Sequence, residues 1–265
     1  MEILEFIRSI TSVYDEQLLL RKVRDKLAAS DRGSLSCTRF LNEREQYLCS
    51  ALLDKIPHDA ECIFDGGYEN AERKILVFFP SWKQEEARAP RESLGAIRII
   101  WRDKACLTHR DFLGALMHLG ISRDCVGDIL VDTDHYFAYV IMTRDLLDYV
   151  CNNLQNVGRS NVIVEASELS DIIVSPVKYE EICGTVSSLR VDAIIAIFCR
   201  LSREKAAALI HQGLVMIDSV PCEKPDKTLN CGNKISIRGY GKFILFESGN
   251  LTRKGRIPIT LHVYL

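Results

Sequence analysis

The 265-residue sequence contains no apolar stretch that approaches the roughly 20 residues needed to cross a bilayer. The N-terminus lacks the apolar run of a secretory signal peptide, because Glu2, Glu5 and Arg8 fall within its first turns. These two absences favour a cytoplasmic protein that has no membrane partner.

Patterns that bind metals or cofactors are absent as well. None of the ten cysteines belongs to a Cys-x-x-Cys pair, which excludes zinc-ribbon spacing and leaves thiols that we expect to be reduced. No Gly-rich turn accompanies Phe78-Phe79-Pro80 or Val131-Asp132-Thr133, where a bound methyl donor would require one. We therefore expect no cofactor, no metal, no small-molecule substrate and no enzymatic activity.

One short motif imitates a catalytic site. His109-Arg110-Asp111 has the order of the kinase catalytic triplet, but Leu116 occupies the position of the Asn that the kinase motif requires downstream. A capping box between Thr108 and Asp111 at the start of a helix explains the carboxylate instead. Kinase chemistry is therefore not predicted.

Two further polar groupings are better explained by structure than by chemistry. Asp132, Asp134 and His135 could bind a metal, yet a turn between two strands favours the same short polar residues. His211 lacks a matched Ser or Cys partner, and we expect it at the surface.

Charge is segregated along the chain, although the formal net charge is only −2. Residues 178–265 hold 13 Lys and Arg against 8 Asp and Glu, a net charge of +5, whereas residues 1–177 hold 21 against 28, a net charge of −7. This asymmetry steers a polyanion towards the C-terminal part of the chain. A solvated basic face would show the same excess, so charge alone does not establish RNA binding.

The hydrophobic pattern predicts an α+β protein with three domains. Residues 1–72 are expected to form an N-terminal helical domain, because apolar residues recur there at helical spacing. Residues 73–177 contain strands at 74–79 and 96–101, and then a helix, two strands, a helix and a strand. That order is typical of a ferredoxin-like, or RRM-like, middle domain. Residues 178–265 remain as a C-terminal domain.

RNA-recognition domains stack bases on exposed aromatic side chains of their central strands. Tyr136 and Phe137 are neighbours on one predicted strand and therefore point to opposite faces of the sheet. At most one of them could stack on a base, and a contact within the core or between domains is the expected use.

The C-terminal domain contains two predicted helices and three predicted strands from residue 187 to residue 246. One apolar stripe marks the first helix and leaves Arg190 and Asp192 outside it. The stripe consists of Val191, Ile194, Ile195 and Phe198. Ser202 is the predicted N-cap of the second helix and Gly213 its left-handed stop. Strands are predicted over residues 214–217, 234–238 and 242–246.

This segment resembles an S4 domain, the RNA-binding fold shared by a ribosomal protein and several RNA-modifying enzymes. The resemblance is carried by Arg190, Asp192, Ser202, Arg203, Ala206, Leu209, Ile210, Gly213, Val215 and residues 235–243. Ser187-Ser188-Leu189-Arg190-x-Asp192-Ala193, together with Arg238-Gly239-x-Gly241-Lys242-Phe243, is similar more specifically to the YlmH family. In that family an S4 domain ends a chain of about this length.

The resemblance implies a set of RNA-binding residues: Arg190, Asp192, Arg200, Ser202, Arg203, Lys205, Arg238 and Lys242. Arg190 and Arg203 would contact phosphate, with Lys205, Arg238 and Lys242 in support. Asp192 would orient a neighbouring arginine rather than act as a catalytic acid. The alternative for the two arginines is a surface ion pair with Asp192 or Glu204, which would contribute little to stability.

The resemblance also implies a function and partners. It predicts a non-enzymatic protein that binds rRNA, tRNA or both, on a large ribosomal subunit that carries an obstructed peptidyl-tRNA, in ribosome-associated quality control. One alternative is an RNA-modifying enzyme with an unfamiliar catalytic domain in residues 1–177. Another is a protein-interaction scaffold linked to cell division.

Overall fold

The computed structural model describes residues 3–82, 93–103, 105–172 and 179–264. The chain divides into two compact units, residues 1–175 and residues 176–265. Glu2 and the predicted domain boundary between residues 177 and 178 lie outside the described residues. In the described ranges no helix is both long and apolar enough to cross a membrane. Several antiparallel sheets alternate with helices, so the α+β class is confirmed.

The N-terminal part of the first unit contains three helices and a three-stranded sheet. Its elements are α1 (Ile3–Ile10), α2 (Tyr14–Ser30), β1 (Ser36–Cys37), α3 (Glu43–Leu53), β2 (Ala60–Asp65) and β3 (Ile75–Pro80). The strands run antiparallel in the order β1-β3-β2. Asn42 caps α3 in a capping box with Glu45. The predicted helices are present, but this region also contains strands.

Strand β3 differs from the prediction that grouped it with the middle domain, because it pairs with β1 and β2. All six of its residues are buried. Leu76 and Phe78 pack against the helices of the N-terminal part, whereas Ile75 and Val77 pack towards the next sheet. A strand that is buried on both faces has no alternation that could indicate its partners.

The middle part of the first unit has the predicted order of strand, helix, strand, strand, helix and strand. Its elements are β4 (Leu94–Trp101), α4 (His109–His118), β5 (Val126–Asp132), β6 (Phe137–Thr143), α5 (Leu147–Asn153), β7 (Asn156–Val157) and β8 (Ser160–Ser167). The sheet is antiparallel with the order β5-β6-β4-β8-β7. Both helices cover one face, where Phe112 and Val150 pack against Ile97 and Ile99.

The C-terminal unit places two helices on one face of a six-stranded sheet. Its elements are β9 (Tyr179–Val186), α6 (Val191–Phe198), α7 (Arg203–His211), β10 (Val215–Ile217), β11 (Val220–Pro221), β12 (Lys234–Ile237), β13 (Gly241–Ser248) and β14 (Ile257–Tyr264). The strand order is β11-β10-β12-β13-β14-β9. Both predicted helices and all three predicted strands are present, and β9, β11 and β14 enlarge the sheet beyond the prediction.

The predicted ends of α7 are confirmed. The Ser202 hydroxyl accepts a hydrogen bond from the Lys205 N–H at 3.3 Å, as expected of an N-cap. Gly213 has a φ of 70°, the left-handed conformation that ends many helices at the residue after the C-cap.

Glycine 127 allows the N-terminal part to pack directly on the middle sheet. A Cβ at this position of β5 would lie 2.6 Å from Cε1 of Phe40 and 3.2 Å from the Ile141 carbonyl oxygen. Phe40 is 1% exposed, so its ring has little room to move. We expect Gly127→Ala to lower the free energy of unfolding by about 1–3 kcal/mol in urea denaturation.

Gly114→Ala is the matched control for this substitution. Gly114 lies within α4, and a Cβ there would meet nothing within 4 Å. Alanine favours a helix interior, so the same measurement should show a gain of about 0.5–1 kcal/mol. Equal effects of the two substitutions would contradict the close approach of Phe40 to β5.

Candidate nucleic-acid interface

A buried carboxylate joins the two helices of the C-terminal unit. Asp192 lies in the first turn of α6, and its side chain is only 8% exposed. Arg190 donates from Nε to Oδ1 at 3.2 Å and from Nη2 to Oδ2 at 3.1 Å. Arg203 of α7 donates from Nη2 to Oδ2 at 2.8 Å. The prediction that placed Asp192 outside the buried stripe was therefore incomplete, because two guanidinium groups allow this charge to be buried.

The environment of Asp192 keeps its carboxylate ionised. Burial by itself raises the pKa of this group, but the hydrogen bonds from Arg190 and Arg203 outweigh burial and leave the pKa below its usual value. The same contacts, led by the hydrogen bond to Asp192, raise the pKa of Arg190. Each guanidinium group carries five N–H donors and uses only one or two of them on Asp192, so donors remain for a phosphate.

Backbone hydrogen bonds fix the start of α6 to the loop before β12. Val191 N–H donates to the Lys227 carbonyl at 2.9 Å, and Asp192 N–H donates to the Pro225 carbonyl at 3.1 Å. Leu229 N–H donates to the Leu189 carbonyl at 2.8 Å. The loop brings the exposed residue Lys227 next to Arg190, a neighbour that the sequence analysis missed. Lys227 and Arg190 are 37 positions apart in the sequence, and no local pattern links them.

The turn between α6 and α7 and the first turn of α7 each carry one more cationic side chain. Arg200 is exposed and has a left-handed φ of 54° at the turn between the helices. Lys205 is exposed in the first turn of α7, close in sequence to Arg203 and the Ser202 cap. The N-terminus of a helix favours anions, because its first N–H groups have no partner within the helix. These side chains therefore extend the basic surface that Arg190 and Arg203 begin.

The other two predicted residues lie on the hairpin between β12 and β13. This hairpin packs against the end of α6, where the Phe198 and Phe243 ring centroids are 4.5 Å apart. Arg238 is exposed where β12 ends. Lys242 is half-buried and pairs with Ser236 across the strands. Since Phe243 faces the helices, Lys242 points to the opposite face of the sheet and is not part of the helix-side surface.

The motifs that imitate catalytic or metal sites have structural partners. The Asp111 carboxylate accepts hydrogen bonds from the Thr108 N–H at 2.8 Å and hydroxyl at 2.7 Å. The Asp132 carboxylate accepts from the Asp134 and His135 N–H groups, both at 3.0 Å. Among the residues that the structure describes, no group of three or more His, Cys, Asp or Glu side chains is arranged to hold a metal ion.

The middle sheet carries one further aromatic grouping. Tyr136 packs on the helix side with Trp101, whereas Phe137 lies on the other face beneath the Arg98 guanidinium at 4.7 Å. The two neighbours therefore point to opposite faces, as predicted, although Tyr136 precedes β6 and has a left-handed φ of 57°. Part of that second face is covered, because Ile141 of β6 packs with Ile75 and Val77 of β3. In the described strands of this face, the Phe137 ring is partly exposed, whereas Tyr139 is buried.

Two comparisons of the sequence with known proteins gave matches. Residues 96–171 match the family model described as "Putative RNA-binding domain in YlmH". A Bacillus subtilis (strain 168) protein named "Ribosome-associated protein quality control protein P2" is 34% identical over 239 residues, which cover 89% of this chain and 90% of that protein. This chain belongs to the YlmH family. The resemblance inferred from the sequence is confirmed.

A solved structure of a YlmH protein shares the fold. It is titled "Cell division protein ylmH from Streptococcus pneumoniae", and it superimposes with a TM-score of 0.50 at 23% identity. The match covers 62% of this chain and 97% of that chain. At this level of identity the likeness concerns the fold alone.

The Asp192 cluster leads to a prediction about pH. Because the folded-state pKa is lowered, the ionised carboxylate stabilises the folded protein above its unfolded pKa of about 3.9. This contribution is lost as the pH falls through the lower folded value. We expect Asp192→Asn to lower the free energy of unfolding at pH 7 by about 1–3 kcal/mol. Urea denaturation at several pH values should show that the difference in free energy of unfolding between wild type and Asp192→Asn becomes smaller below about pH 4.

Asp226→Asn serves as the control for charge. Asp226 is exposed and interacts with Arg190 only through its field. Its substitution should change the free energy of unfolding by less than about 0.5 kcal/mol at any of these pH values. A loss as large as that of Asp192→Asn would show that net charge, and not the buried contact, is responsible.

Proposed function

We propose that this protein binds structured RNA, without catalysing a reaction, through the S4 domain formed by its C-terminal unit. The observation that carries this proposal is the pair of arginines, Arg190 and Arg203, held by one buried carboxylate at the start of two helices. A guanidinium group fixed in this way presents its remaining donors in a constant direction, which suits a phosphate oxygen. Lys205, Arg200 and the Ser202 cap continue the same surface.

The domain organisation is part of the proposal. We assign an N-terminal domain that includes β3, an RRM-like domain that begins with β4 rather than at residue 73, and the S4 domain over residues 178–265. Support for an RRM-like domain comes from the sheet order β5-β6-β4-β8, which is the order of the ferredoxin-like fold. Support for an S4 domain comes from α6, α7 and the hairpin that carries Arg238.

The proposed target is rRNA or tRNA on the large ribosomal subunit that retains peptidyl-tRNA in ribosome-associated quality control. The name of the B. subtilis relative, which includes ribosome association and protein quality control, supports this target. The family model described as an RNA-binding domain supports RNA as the ligand. The net charge of +5 in residues 178–265 is in keeping with a polyanionic partner.

The test is sedimentation with purified bacterial large ribosomal subunits over a series of salt concentrations. Wild type should sediment with the subunit at low salt and dissociate from it as the salt concentration rises. The logarithm of the binding constant should fall against the logarithm of the salt concentration with a slope of about −0.7 to −0.9 per neutralised phosphate. The variant Arg200→Asn, Lys205→Gln removes two exposed cations without disturbing Asp192. This variant should bind the subunit about tenfold more weakly, and the magnitude of its salt slope should be smaller by about two.

The control variant Arg253→Gln, Lys254→Gln removes the same charge from the exposed loop between β13 and β14. That loop lies at the other end of β13 from the Arg238 hairpin and is held to β9, where Arg256 donates to the Thr185 hydroxyl at 3.0 Å. The control should sediment like wild type. If both variants lose the subunit equally, or if neither does, the helix-side surface is not where RNA binds.

A further inference from the structure

The C-terminal sheet has a second face that its helices do not cover. Side chains alternate along β13 and β14, so that Phe243, Leu245 and Leu261 enter the core beneath α6 and α7. The residues between them point the other way. This aromatic face is defined by Phe246, His262, Tyr179, Tyr264, Lys234 and Lys242.

Three rings on this face form a stack across three neighbouring strands. The Phe246 and His262 ring centroids are 3.8 Å apart with an interplanar angle of 13°. Tyr179 continues the stack on His262 at 5.2 Å and 26°. Tyr264 meets Tyr179 edge-on at 5.2 Å and 73°. The ends of the stack are accessible, since Phe246 is 54% exposed and Tyr179 is 37% exposed.

Strand β13 has a β-bulge at Phe246. The register of β13 against β14 shifts between Leu245 and Glu247, so Phe246 is the extra residue and Glu247 pairs with Thr260 on the same face. Bulges are over-represented at sheet edges and next to functional sites. The rings lie on the side of the sheet opposite the core, and Phe246 is more than half exposed. The stack therefore presents an accessible ring to a ligand.

Charged groups on the same face favour a nucleic acid as that ligand. The Lys234 Nζ lies 5.0 Å from the Tyr264 ring centroid. Lys242 lies on the paired strand β13, two residues before Ile244, the partner of Lys234. Lys234 stands opposite Ile244, roughly 7 Å along β13 from Phe246. The acidic neighbours are Glu247, which is exposed, and Glu181, whose carboxylate accepts from His262 at 3.2 Å and holds that ring within the stack.

We propose that the aromatic face is a second RNA contact, which stacks an unpaired base on Phe246 while Lys234 and Lys242 contact the adjoining phosphates. Parallel rings with an exposed terminal plane extend naturally by one more aromatic ring, and every base offers such a plane. The inference rests on RNA as the ligand of this protein. It places a single-stranded element on the side of the sheet that faces away from Arg190 and Arg203.

The probe is a short single-stranded RNA that contains one 2-aminopurine, whose fluorescence falls when it stacks. Wild type should quench it on binding. Phe246→Leu keeps an apolar side chain but removes the ring, so it should abolish quenching and weaken binding about tenfold with an unchanged salt slope. Phe246→Trp should restore both signals. Lys234→Gln, Lys242→Gln should reduce the salt slope by about two.

Two controls separate stacking from general damage. Leu251→Ala removes another exposed apolar side chain of the same unit, 69% exposed, and should bind and quench like wild type. An RNA with an abasic site in place of 2-aminopurine should bind wild type and Phe246→Leu equally. Quenching that survives in Phe246→Leu, or equal losses on the abasic RNA, would overturn the proposal.

The outcome is distinguishable from failure of the proposed ribosomal function. Arg200→Asn, Lys205→Gln should bind the large subunit about tenfold more weakly in sedimentation yet still quench the short RNA. If wild type quenches the short RNA but does not sediment with the subunit, the ribosomal target is wrong and the aromatic face stands. If Phe246→Leu instead abolishes self-association in analytical ultracentrifugation and leaves RNA binding intact, the face is a contact between two copies of the chain, and the proposal is wrong.

Discussion

The burial of one carboxylate is the constraint on which the C-terminal unit depends. An ionised Asp192 without partners would be very costly at 5% exposure, so Arg190 and Arg203 must both remain in place. One of these arginines precedes α6 and the other begins α7. The requirement therefore fixes the two helix starts relative to each other and, through Val191 and Lys227, fixes the loop before β12. The same contacts hold both guanidinium groups in place, as the proposed phosphate contacts require.

The first unit depends on a different constraint, which is a strand buried on both faces. Leu76 and Phe78 of β3 complete the core under the N-terminal helices, while Ile75 and Val77 cover part of the middle sheet. Asp128 strengthens this junction, since its carboxylate accepts from the Tyr68 hydroxyl at 2.7 Å and the Arg73 N–H at 3.1 Å. The consequence for function is that the sheet face on which RNA-recognition domains stack bases is partly occupied by the protein itself.

The C-terminal unit thus offers two chemically different surfaces. The helix side presents charge held by a buried partner, which suits the phosphates of a structured RNA. The opposite side presents stacked rings with two lysines, which suits unpaired bases. Lys242 belongs to the motif that suggests RNA binding, but strand alternation places its side chain on the face that carries the rings.

Local sequence patterns predicted much of the fold. Ser202 and Gly213 marked the ends of α7 because caps depend on only a few neighbouring residues. The order of elements from β4 to β8 followed from alternating helical and extended patterns. Strand β3 was predicted in the right place but not with the right partners, because its wholly apolar sequence fits any buried position. The strands β9 and β14, which pair along eight residues each, showed no signal that they join the same sheet.

Sequence patterns predicted the family, the class of fold and the net positive charge of residues 178–265. Each of these rests on short motifs or on composition, which do not require knowledge of distant contacts. Only the folded chain shows that Asp192 is buried between two arginines, that the loop carrying Lys227 is hydrogen-bonded to the start of α6 and that Phe246, His262 and Tyr179 stack. These features join residues from separate elements, and only the folded chain sets the distances between them.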